Sequence, residues 1–327
     1  MATGQVLDPA ALPERTVVHA GLLIDVAGLD GQSGTTTVAC DADAATWVRT
    51  RLPDGADRSA GLALSPDGTR VLERRLSGGG RVTLDVLRLE TGEAQEAPVP
   101  DRFGDCELDD AAWAPDSVHL AVVWGCGRYA PSDIPELAGG TIWQPYDTWV
   151  DEVDLAGGRS RVVEHALDVY PGETYPSYSP DGRRLIYGAG PLSGDVMSTL
   201  RVVALDGSGA VSVPGDLHVV YGDPWLTAGT ALAWDESTDV GSDDSFTRVD
   251  ASSGDHAPLG VPSLTNLSGV VGGRVVVQRT DWLDRTNPCT VELCLLDPGT
   301  GSVSPWLDLP GSPRIGSVQV ARALVSG

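Results

Sequence analysis

The most informative absence in this sequence is lysine, because all 22 basic residues among its 327 residues are arginine. Without lysine the chain has no Walker-type phosphate loop, no Schiff-base chemistry and no lysine general base. The 46 acidic residues give a formal net charge of −24, and so acidic a surface repels phosphate backbones and anionic lipids. We therefore expect neither nucleic acid nor an anionic membrane surface as a partner.

Long apolar runs are also absent. No stretch approaches the roughly 20 apolar residues of a membrane span, so no membrane insertion is expected. The most apolar early run, residues 17–29, is interrupted by His19 and Asp25. It also lacks a preceding basic segment and is therefore a poor signal peptide.

A turn motif recurs along the chain and organises it. Ser-Pro-Asp-Gly at residues 65–68 recurs at 179–182 and, as Ala-Pro-Asp-Ser, at 114–117. Each copy lies between two apolar segments, and two weaker copies follow at 225–234 and 270–277. Because proline presets the turn and Asp-Gly closes it, each copy predicts a β-hairpin.

A second series of glycine-containing turns alternates with the first, and each of these turns follows a strand of alternating polarity. Each repeating unit therefore contains four strands and two hairpin turns. Four strands in about 45 residues are typical of one blade of a β-propeller.

The turn spacing predicts an all-β chain that forms a six-bladed β-propeller of four-stranded antiparallel blades, as a single domain over residues 1–327. The first blade lacks an inner strand, and we expect the segment Ile315–Val320 to complete it, which removes exposed sheet edges. Seven blades are the alternative, although no segment for a seventh is evident. The expected blades span residues 16–57 plus 313–325, 58–102, 103–165, 166–215, 216–260 and 261–310.

Two hairpins resemble the WD40-like repeats, called PD40, of TolB-type propellers. The resemblance is carried by residues 178–187 (Tyr-Ser-Pro-Asp-Gly-Arg-Arg-Leu-Ile-Tyr) and 63–72 (Ala-Leu-Ser-Pro-Asp-Gly-Thr-Arg-Val-Leu). The family pattern is an aromatic residue, Ser-Pro-Asp-Gly, a basic residue and an apolar strand. The resemblance implies a propeller fold, and propellers of this type serve as periplasmic binding modules, as regulatory domains of peptidases and occasionally as lyases or cyclases.

The third blade is longer than the others, and the excess falls at residues 127–147. Long loops on rigid scaffolds commonly carry function, and this one is rich in aromatic residues. We expect either a recognition surface at one mouth of the channel or a cap over hydrophobic blade edges. Aromatic residues before neighbouring inner strands are expected to share that mouth. The candidate ligand-binding residues are Arg128, as an anchor for an anion, with Tyr129, Trp143, Tyr146, Trp149, Tyr170, Tyr175, Tyr221 and Trp225.

Carboxylates gather just before the inner strands, at Asp109, Asp110, Glu173 and Asp223. Residues that enter innermost strands crowd around the axis of a propeller. Several carboxylates there favour a hard cation such as Ca²⁺, or a basic ligand. The alternative is that these are ordinary solvated acids of an acidic protein, and no other cofactor is expected.

The five cysteines form no CxxC or Cys/His zinc pattern. Cys106 and Cys126 fall nearly opposite each other across a predicted hairpin, so a disulfide or two buried thiols are expected. Cys289 and Cys294 have opposite parity and should point apart unless Cys289 lies in a turn. A disulfide would indicate an oxidising compartment, so an extracytoplasmic location is expected, with the cytoplasm as the alternative.

These observations predict a monomeric, non-catalytic binding or protein-interaction module. Its ligand, a protein, small molecule or glycan, would bind at the channel mouth near the third-blade insertion. One alternative is a propeller enzyme, a lyase or glycan-active hydrolase, that uses the channel carboxylates. A second alternative is a structural or assembly propeller with no ligand pocket. A serine hydrolase is not expected, because no Gly-x-Ser-x-Gly elbow occurs.

Overall fold

The chain folds into six antiparallel β-sheets arranged as a six-bladed propeller, as the turn spacing predicts. This computed structural model describes residues 4–27, 35–50, 52, 62–76, 82–99, 106–131, 141–167, 169–171, 174–191, 199–215, 217–220, 222–235, 245–262, 265–279, 289, 291–310 and 314–325. Each blade has its inner strand at the channel and its fourth strand at the outer edge.

The strands are numbered in chain order. After β1 (Gln5–Val6), blade 1 contains β2 (Ala20–Ala27), β3 (Thr35–Asp41) and β4 (Thr46–Thr50). Blade 2 contains β5 (Leu62–Leu64), β6 (Arg70–Leu76), β7 (Val82–Arg88) and β8 (Ala94–Glu96). Blade 3 contains β9 (Cys106–Trp113), β10 (His119–Pro131), β11 (Thr141–Asp154) and β12 (Arg159–Ala166).

Blade 4 contains β13 (Val169–Pro171), β14 (Ser177–Tyr178), β15 (Arg184–Pro191), β16 (Thr199–Ala204) and β17 (Ala210–Val213). Blade 5 contains β18 (Leu217–Val219), β19 (Trp225–Thr227), β20 (Thr230–Asp235), β21 (Ser245–Asp250) and β22 (His256–Pro262). Blade 6 contains β23 (Thr265–Val271), β24 (Arg274–Arg279), β25 (Leu293–Leu296) and β26 (Val303–Asp308). The chain then forms β27 (Arg314–Val320) and the short helix α1 (Arg322–Val325).

The ring closes through β27, as the sequence predicts. This strand is the inner strand of blade 1 and pairs antiparallel with β2. The Ser317 hydroxyl donates a hydrogen bond of 2.8 Å to Asp25 Oδ2. After β27, the Ala323 N–H donates to the carbonyl of Pro66 in the turn of blade 2 (3.1 Å), so the C-terminal segment contacts both blades 1 and 2. Within the described ranges, no helix is long and apolar enough to cross a membrane.

A second closure, which the sequence analysis did not predict, lies on the outside of the ring. β1 adds a fifth strand to blade 6, parallel to β26. Further along, the Arg15 N–H donates to the Arg49 carbonyl on β4 of blade 1 (3.0 Å), and the Arg49 N–H donates to the Pro13 carbonyl (2.9 Å). The N-terminal segment therefore joins the outer edges of blades 6 and 1, at the junction that β27 closes from inside.

Side chains of the repeat motif join neighbouring blades. The Trp113 indole N–H donates to the Ala63 carbonyl of the preceding blade at 2.9 Å. Arg184, the basic residue after the Ser-Pro-Asp-Gly turn of blade 4, donates from Nη1 to the Ala228 carbonyl of the next blade at 3.1 Å. The basic position of the motif thus connects one turn to the next. An always-charged planar guanidinium suits this role because it reaches a distant carbonyl with several donors.

The insertion in the third blade is an extension of two strands, where the sequence analysis expected a loop. β10 and β11 remain paired as far as Pro131 and Thr141, with one register shift after Cys126. We call residues 127–131 and 141–147 the paired arm. Because β9 and β10 are antiparallel, this arm continues blade 3 beyond the end of the channel at which β9 begins.

The predicted disulfide between Cys106 and Cys126 is present, and these residues lie directly opposite each other on β9 and β10. Cys289 also bonds to Cys294. Cys289 lies outside β25, so the alternation of side chains along a strand does not separate this pair. Cys40 is a buried free thiol.

The thiol count tests both bonds. Denatured but unreduced protein should show one titratable thiol, that of Cys40, and five after reduction, which a thiol-reactive chromophore measures. Three thiols before reduction would mean that one of the two disulfides is not formed, and five would contradict both.

Candidate functional site in the propeller channel

The channel encloses a cavity of about 550 Å³. Its wall comes from blades 2, 3, 4 and 5 and from the C-terminal part of the chain after the start of β27. Most of the lining is apolar, and it includes the aromatic side chains of Trp113, Tyr175 and Tyr178. Concave, mainly apolar spaces of this size with a few polar groups are typical of small-ligand sites. The charged residues of the lining are Arg74, Asp110, Asp223 and Arg322.

The inner strands of blades 4 and 5 are interrupted beside this cavity. In blade 4, β13 and β14 both pair with β15, and the segment between them contains Tyr175 and Pro176. In blade 5, β18 and β19 both pair with β20, and the segment between them contains Asp223 and Pro224. Proline has no N–H for a strand ladder, so regular pairing stops there. Tyr175 has a φ of 30°, which is uncommon for a residue other than glycine and is found where the surrounding structure holds the backbone, often at ligand sites.

A β-bulge on the inner strand of blade 3 places two adjacent carboxylates near the cavity. Val123 pairs with Asp110 and Trp124 with Leu108, so Asp109 is an extra residue on β9. Adjacent side chains of a regular strand point to opposite faces, and a bulge breaks this alternation and redirects a side chain. The bulge explains how Asp110 comes to line the cavity next to a second carboxylate.

Asp109 and Asp110 have different surroundings. The Thr174 hydroxyl of blade 4 donates a hydrogen bond of 2.5 Å to Asp109. Asp110 accepts one hydrogen bond, from the Ala111 N–H at 2.8 Å, and its other oxygen has no hydrogen-bond partner in the described part of the chain. Burial raises the pKa of both carboxyls. The negative charge of Asp109 raises the pKa of Asp110 further. The Ala111 N–H and the positive charge of Arg74 lower it by only part of that rise, so the pKa of Asp110 is about 7.

Asp223 lies in the same wall but is already paired with a cation. Arg322 donates from Nη1 to both of its carboxylate oxygens, at 2.7 and 3.0 Å, and from Nη2 to the Trp225 carbonyl. Burial raises the pKa of Asp223, and the Arg322 charge opposes that rise. The pair fastens the C-terminal segment to blade 5, so Asp223 has a structural partner that Asp110 lacks.

The four carboxylates that were expected to bind calcium therefore do not form one group in the described structure. Asp109 and Asp110 share the bulge, Asp223 is bound to Arg322, and Glu173 lies outside the described residues. Over the described ranges, no three or more His, Cys, Asp or Glu side chains are grouped to hold a metal ion. Calcium binding stays a prediction from the sequence.

Three of the aromatic candidates have described side chains, and they lie in different places. Tyr175 lines the cavity. Trp225 is fully buried between blades 4 and 5, where its indole N–H donates to the Ser177 carbonyl at 3.0 Å, so it belongs to the core. Trp149 stacks on His165 of the outer strand, with 3.5 Å between ring centroids. Neither tryptophan lies among the residues that line the cavity.

The remaining candidates lie on the paired arm or near it. Tyr129 is opposite Trp143 in the register of the arm, and Arg128 is opposite Gln144. The side chains of these residues and of Tyr146 and Tyr170 lie outside the described part of the structure, as does the whole of Tyr221. Their role in ligand binding stays a prediction.

Four charged or aromatic residues of the cavity wall were not among the predicted site residues: Arg74, Trp113, Tyr178 and Arg322. Trp113 and Tyr178 occupy the aromatic position just before the turn motif, so the alignment of repeats contained a usable signal for them. Arg322 follows the closing strand by two residues, which places it near the axis once the closure is accepted. We find no sequence signal for Arg74.

Neither a protein-family model nor a curated protein sequence matches the chain. Among solved structures, an oligogalacturonate lyase from Vibrio parahaemolyticus has a TM-score of 0.56 and 14% identity, over 93% of this chain and 82% of that one. An acylaminoacyl peptidase from Pyrococcus horikoshii has a TM-score of 0.52 and 15% identity, over 90% of this chain and 45% of that one. TolB from Acinetobacter baumannii has a TM-score of 0.48 and 13% identity, over 91% of this chain and 65% of that one.

This chain therefore spans less than two thirds of the TolB and peptidase chains that it resembles. Folds are shared among unrelated activities, and function resides in the site. The likeness to the lyase and the peptidase shows a shared β-propeller fold.

Proposed function

We propose that the chain is a non-catalytic binding module of the TolB-like, PD40-repeat type, and that its ligand occupies the channel cavity. The observation that carries this proposal is the cavity of about 550 Å³, which combines an apolar and aromatic wall with a half-buried carboxylate, Asp110. A filled channel would favour a purely structural propeller, whereas an open cavity of this size favours a small molecule, a sugar unit or a peptide side chain.

The paired arm is a second contact surface in this proposal. It extends beyond the start of β9, whereas Asp109 and Asp110 lie midway along that strand and the cavity lining continues from Asp110 to Pro115 at its other end. The arm and the cavity would therefore contact separate parts of a large partner. The centre of the proposed site thus moves from the channel mouth near the third-blade insertion, which the sequence indicated, to the cavity inside the channel.

An extracytoplasmic location is part of the same proposal. The Cys106–Cys126 and Cys289–Cys294 disulfides support it, because such bonds persist in oxidising compartments and are rare in the cytoplasm.

Filling the cavity tests the proposed function. Ala111 lines the cavity, so Ala111→Trp should place an indole in the ligand space. A panel of small amines, carboxylates, sugars and aromatic alcohols would be screened by saturation-transfer NMR. We expect the fragments that bind the wild type to lose their signal with Ala111→Trp. The same fragments should keep it with Val162→Trp, which adds an indole at an exposed position of the outer strand β12. Equal binding by all three proteins, or no binding to the wild type, would contradict the proposal.

A propeller enzyme is the second candidate, and one observation favours it. Asp110 has a pKa of about 7 inside a cavity, which suits a general acid or base near neutral pH. The neighbouring solved structure is named an oligogalacturonate lyase, so oligogalacturonate is the first substrate to try. Under this reading, unsaturated product accumulates with the wild type and not with Asp110→Asn. Absence of product with the wild type would set this reaction aside.

A further inference from the structure

We infer that the channel cavity selects ligands in which an ammonium or guanidinium group is joined to an apolar or aromatic body, with Asp110 as the carboxylate that recognises the cation. This inference rests on the proposed function and goes beyond it, because it names the chemical class of the ligand. It follows from the charges of the wall, the contacts of Asp110 and the nature of the remaining lining.

The lining holds two arginines, Arg74 and Arg322, and two carboxylates, Asp110 and Asp223, while Asp109 lies next to Asp110 on the bulge, outside the lining. Asp223 and Arg322 neutralise each other through two hydrogen bonds. Among the described residues, Arg74 is the remaining cation near Asp109 and Asp110, and it makes no ion pair within 4.0 Å with either of them. The protein as a whole carries a net charge of −24, and a channel with low-dielectric walls concentrates such a field. A cation is therefore favoured in this cavity over an anion.

Asp110 is the group with unused capacity for a ligand. It lines the cavity, is half-buried, and keeps one oxygen without a hydrogen-bond partner in the described structure. A half-buried carboxylate with one hydrogen-bond donor and no ion pair within 4.0 Å among the described residues has lost part of its hydration, and a ligand cation at hydrogen-bond distance would compensate for that loss. A ligand carboxylate bound near Arg74 would instead be repelled by Asp109 and Asp110.

The rest of the wall suits an apolar body. Trp113, Tyr178, Leu72 and Leu84 contribute large nonpolar surfaces to the same cavity. Burial of apolar ligand surface against these side chains contributes roughly 25 cal/mol per Å² of buried area, and this contribution does not depend on a particular orientation of the ligand. The matching ligand is amphiphilic, with one charged end at Asp110 and a ring or chain along these side chains.

Protonation of Asp110 should control binding. In the part of the chain that the structure describes, the other titratable or charged groups around the cavity are Asp109, Arg74, Tyr175, Tyr178, Asp223 and Arg322. Burial raises the pKa of Tyr178 well above its ordinary value, so this tyrosine stays neutral, and the two arginines stay charged. The pKa of Asp110 is about 7, so its ionised fraction rises about tenfold between pH 6 and pH 8. The apparent affinity for an amine should rise by about the same factor.

Calorimetric titration with three probes that share a phenylethyl body tests the inference. The probes are phenethylamine, 3-phenylpropanoate and 2-phenylethanol, each measured at pH 6 and pH 8. We expect phenethylamine to bind at least tenfold more tightly than the alcohol at pH 8, about tenfold more tightly at pH 8 than at pH 6, and the carboxylate to bind most weakly. Asp110→Asn should remove both the preference and the pH dependence. Glu107→Gln, an exposed change three residues away on β9, should alter neither.

The outcomes separate this inference from the function on which it rests. Preference for the carboxylate, an affinity for the amine that falls with pH, or unchanged selectivity in Asp110→Asn would overturn the cation inference and leave the cavity a binding site. Equal binding of the preferred probe to the wild type and to Ala111→Trp would overturn the proposed function itself.

Discussion

Deletion of residues 314–327 is expected to abolish the cooperative thermal unfolding of the protein. The deletion removes β27, so β2 loses the strand with which it pairs from Leu22 to Ala27. Val318 and Ala321 are removed from the core, and the fully buried side chains of β2 lose their cover. We expect the loss to exceed about 5 kcal/mol, which is comparable with the entire stability of many domains. Scanning calorimetry together with near-ultraviolet circular dichroism measures it.

A cooperative transition within a few degrees of the full-length protein would contradict the closure.

Substitution of a single glycine tests the same junction with a smaller change. Gly68 has a φ of +71°, and a Cβ there would collide with the Ala20 carbonyl of blade 1 and lie 2.7 Å from Leu324 Cδ1. Gly182, at the equivalent turn position, has a φ of +67°, but its nearest neighbour would be Pro115 Cδ at 3.6 Å.

Gly182→Ala should therefore cost about 1 to 2 kcal/mol of backbone strain alone. Gly68→Ala adds a clash at the junction of blade 1, blade 2 and the C-terminal segment. We expect it to lower the melting temperature by at least twice as much as Gly182→Ala. Equal shifts would show that the junction does not restrict this position.

Asp110→Asn is expected to stabilise the protein at pH 8 and to have almost no effect on stability at pH 4. The folded protein holds the Asp110 proton up to a pKa of about 7, whereas the unfolded chain releases it near the ordinary value of about 3.9. Between these values the folded state binds more protons, so the stability of the wild type falls as pH rises. The asparagine variant lacks this penalty and should be more stable above pH 7 by about 2 to 4 kcal/mol. Urea unfolding from pH 4 to pH 8 measures the difference.

Asp223→Asn is the matched comparison, because it changes another carboxylate of the same wall in the same way. Here the substitution removes the partner of Arg322 and should destabilise the protein at pH 8 by about 2 kcal/mol, the contribution of hydrogen bonds to a charged group. Opposite signs for the two variants would show that Asp110 is not retained for stability, as expected of a residue kept for binding. Destabilisation by both would contradict the account of Asp110.

The architecture was predictable because the turns that define it are local. Proline fixes φ and glycine allows the positive φ that closes the turn, both within four residues, so Ser65–Gly68 and Ser179–Gly182 marked blade hairpins without any knowledge of the rest of the chain. The closing strand β27 followed from the same period. The N-terminal segment on the outer edges of blades 6 and 1 was missed because two residues of β1 carry no strand pattern of their own.

The site was less predictable because it depends on contacts between distant residues. Asp223 looked like a metal ligand because nothing in the sequence shows that Arg322, 99 residues later, lies beside it. Trp225 looked accessible because the aromatic position before a turn does not reveal that its indole faces the preceding blade. The bulge at Asp109, which brings Asp110 to the cavity, is a property of strand register that no residue pattern announces.

The most direct test of the account is a carbon-13 NMR titration of the aspartate carboxyl groups, with the Asp110 signal assigned by its loss in Asp110→Asn. We predict that the Asp110 carboxyl of the free protein titrates near pH 7 and that saturating phenethylamine lowers this midpoint. A midpoint near the ordinary aspartate value, or one that phenethylamine leaves unchanged while it binds, would contradict the account.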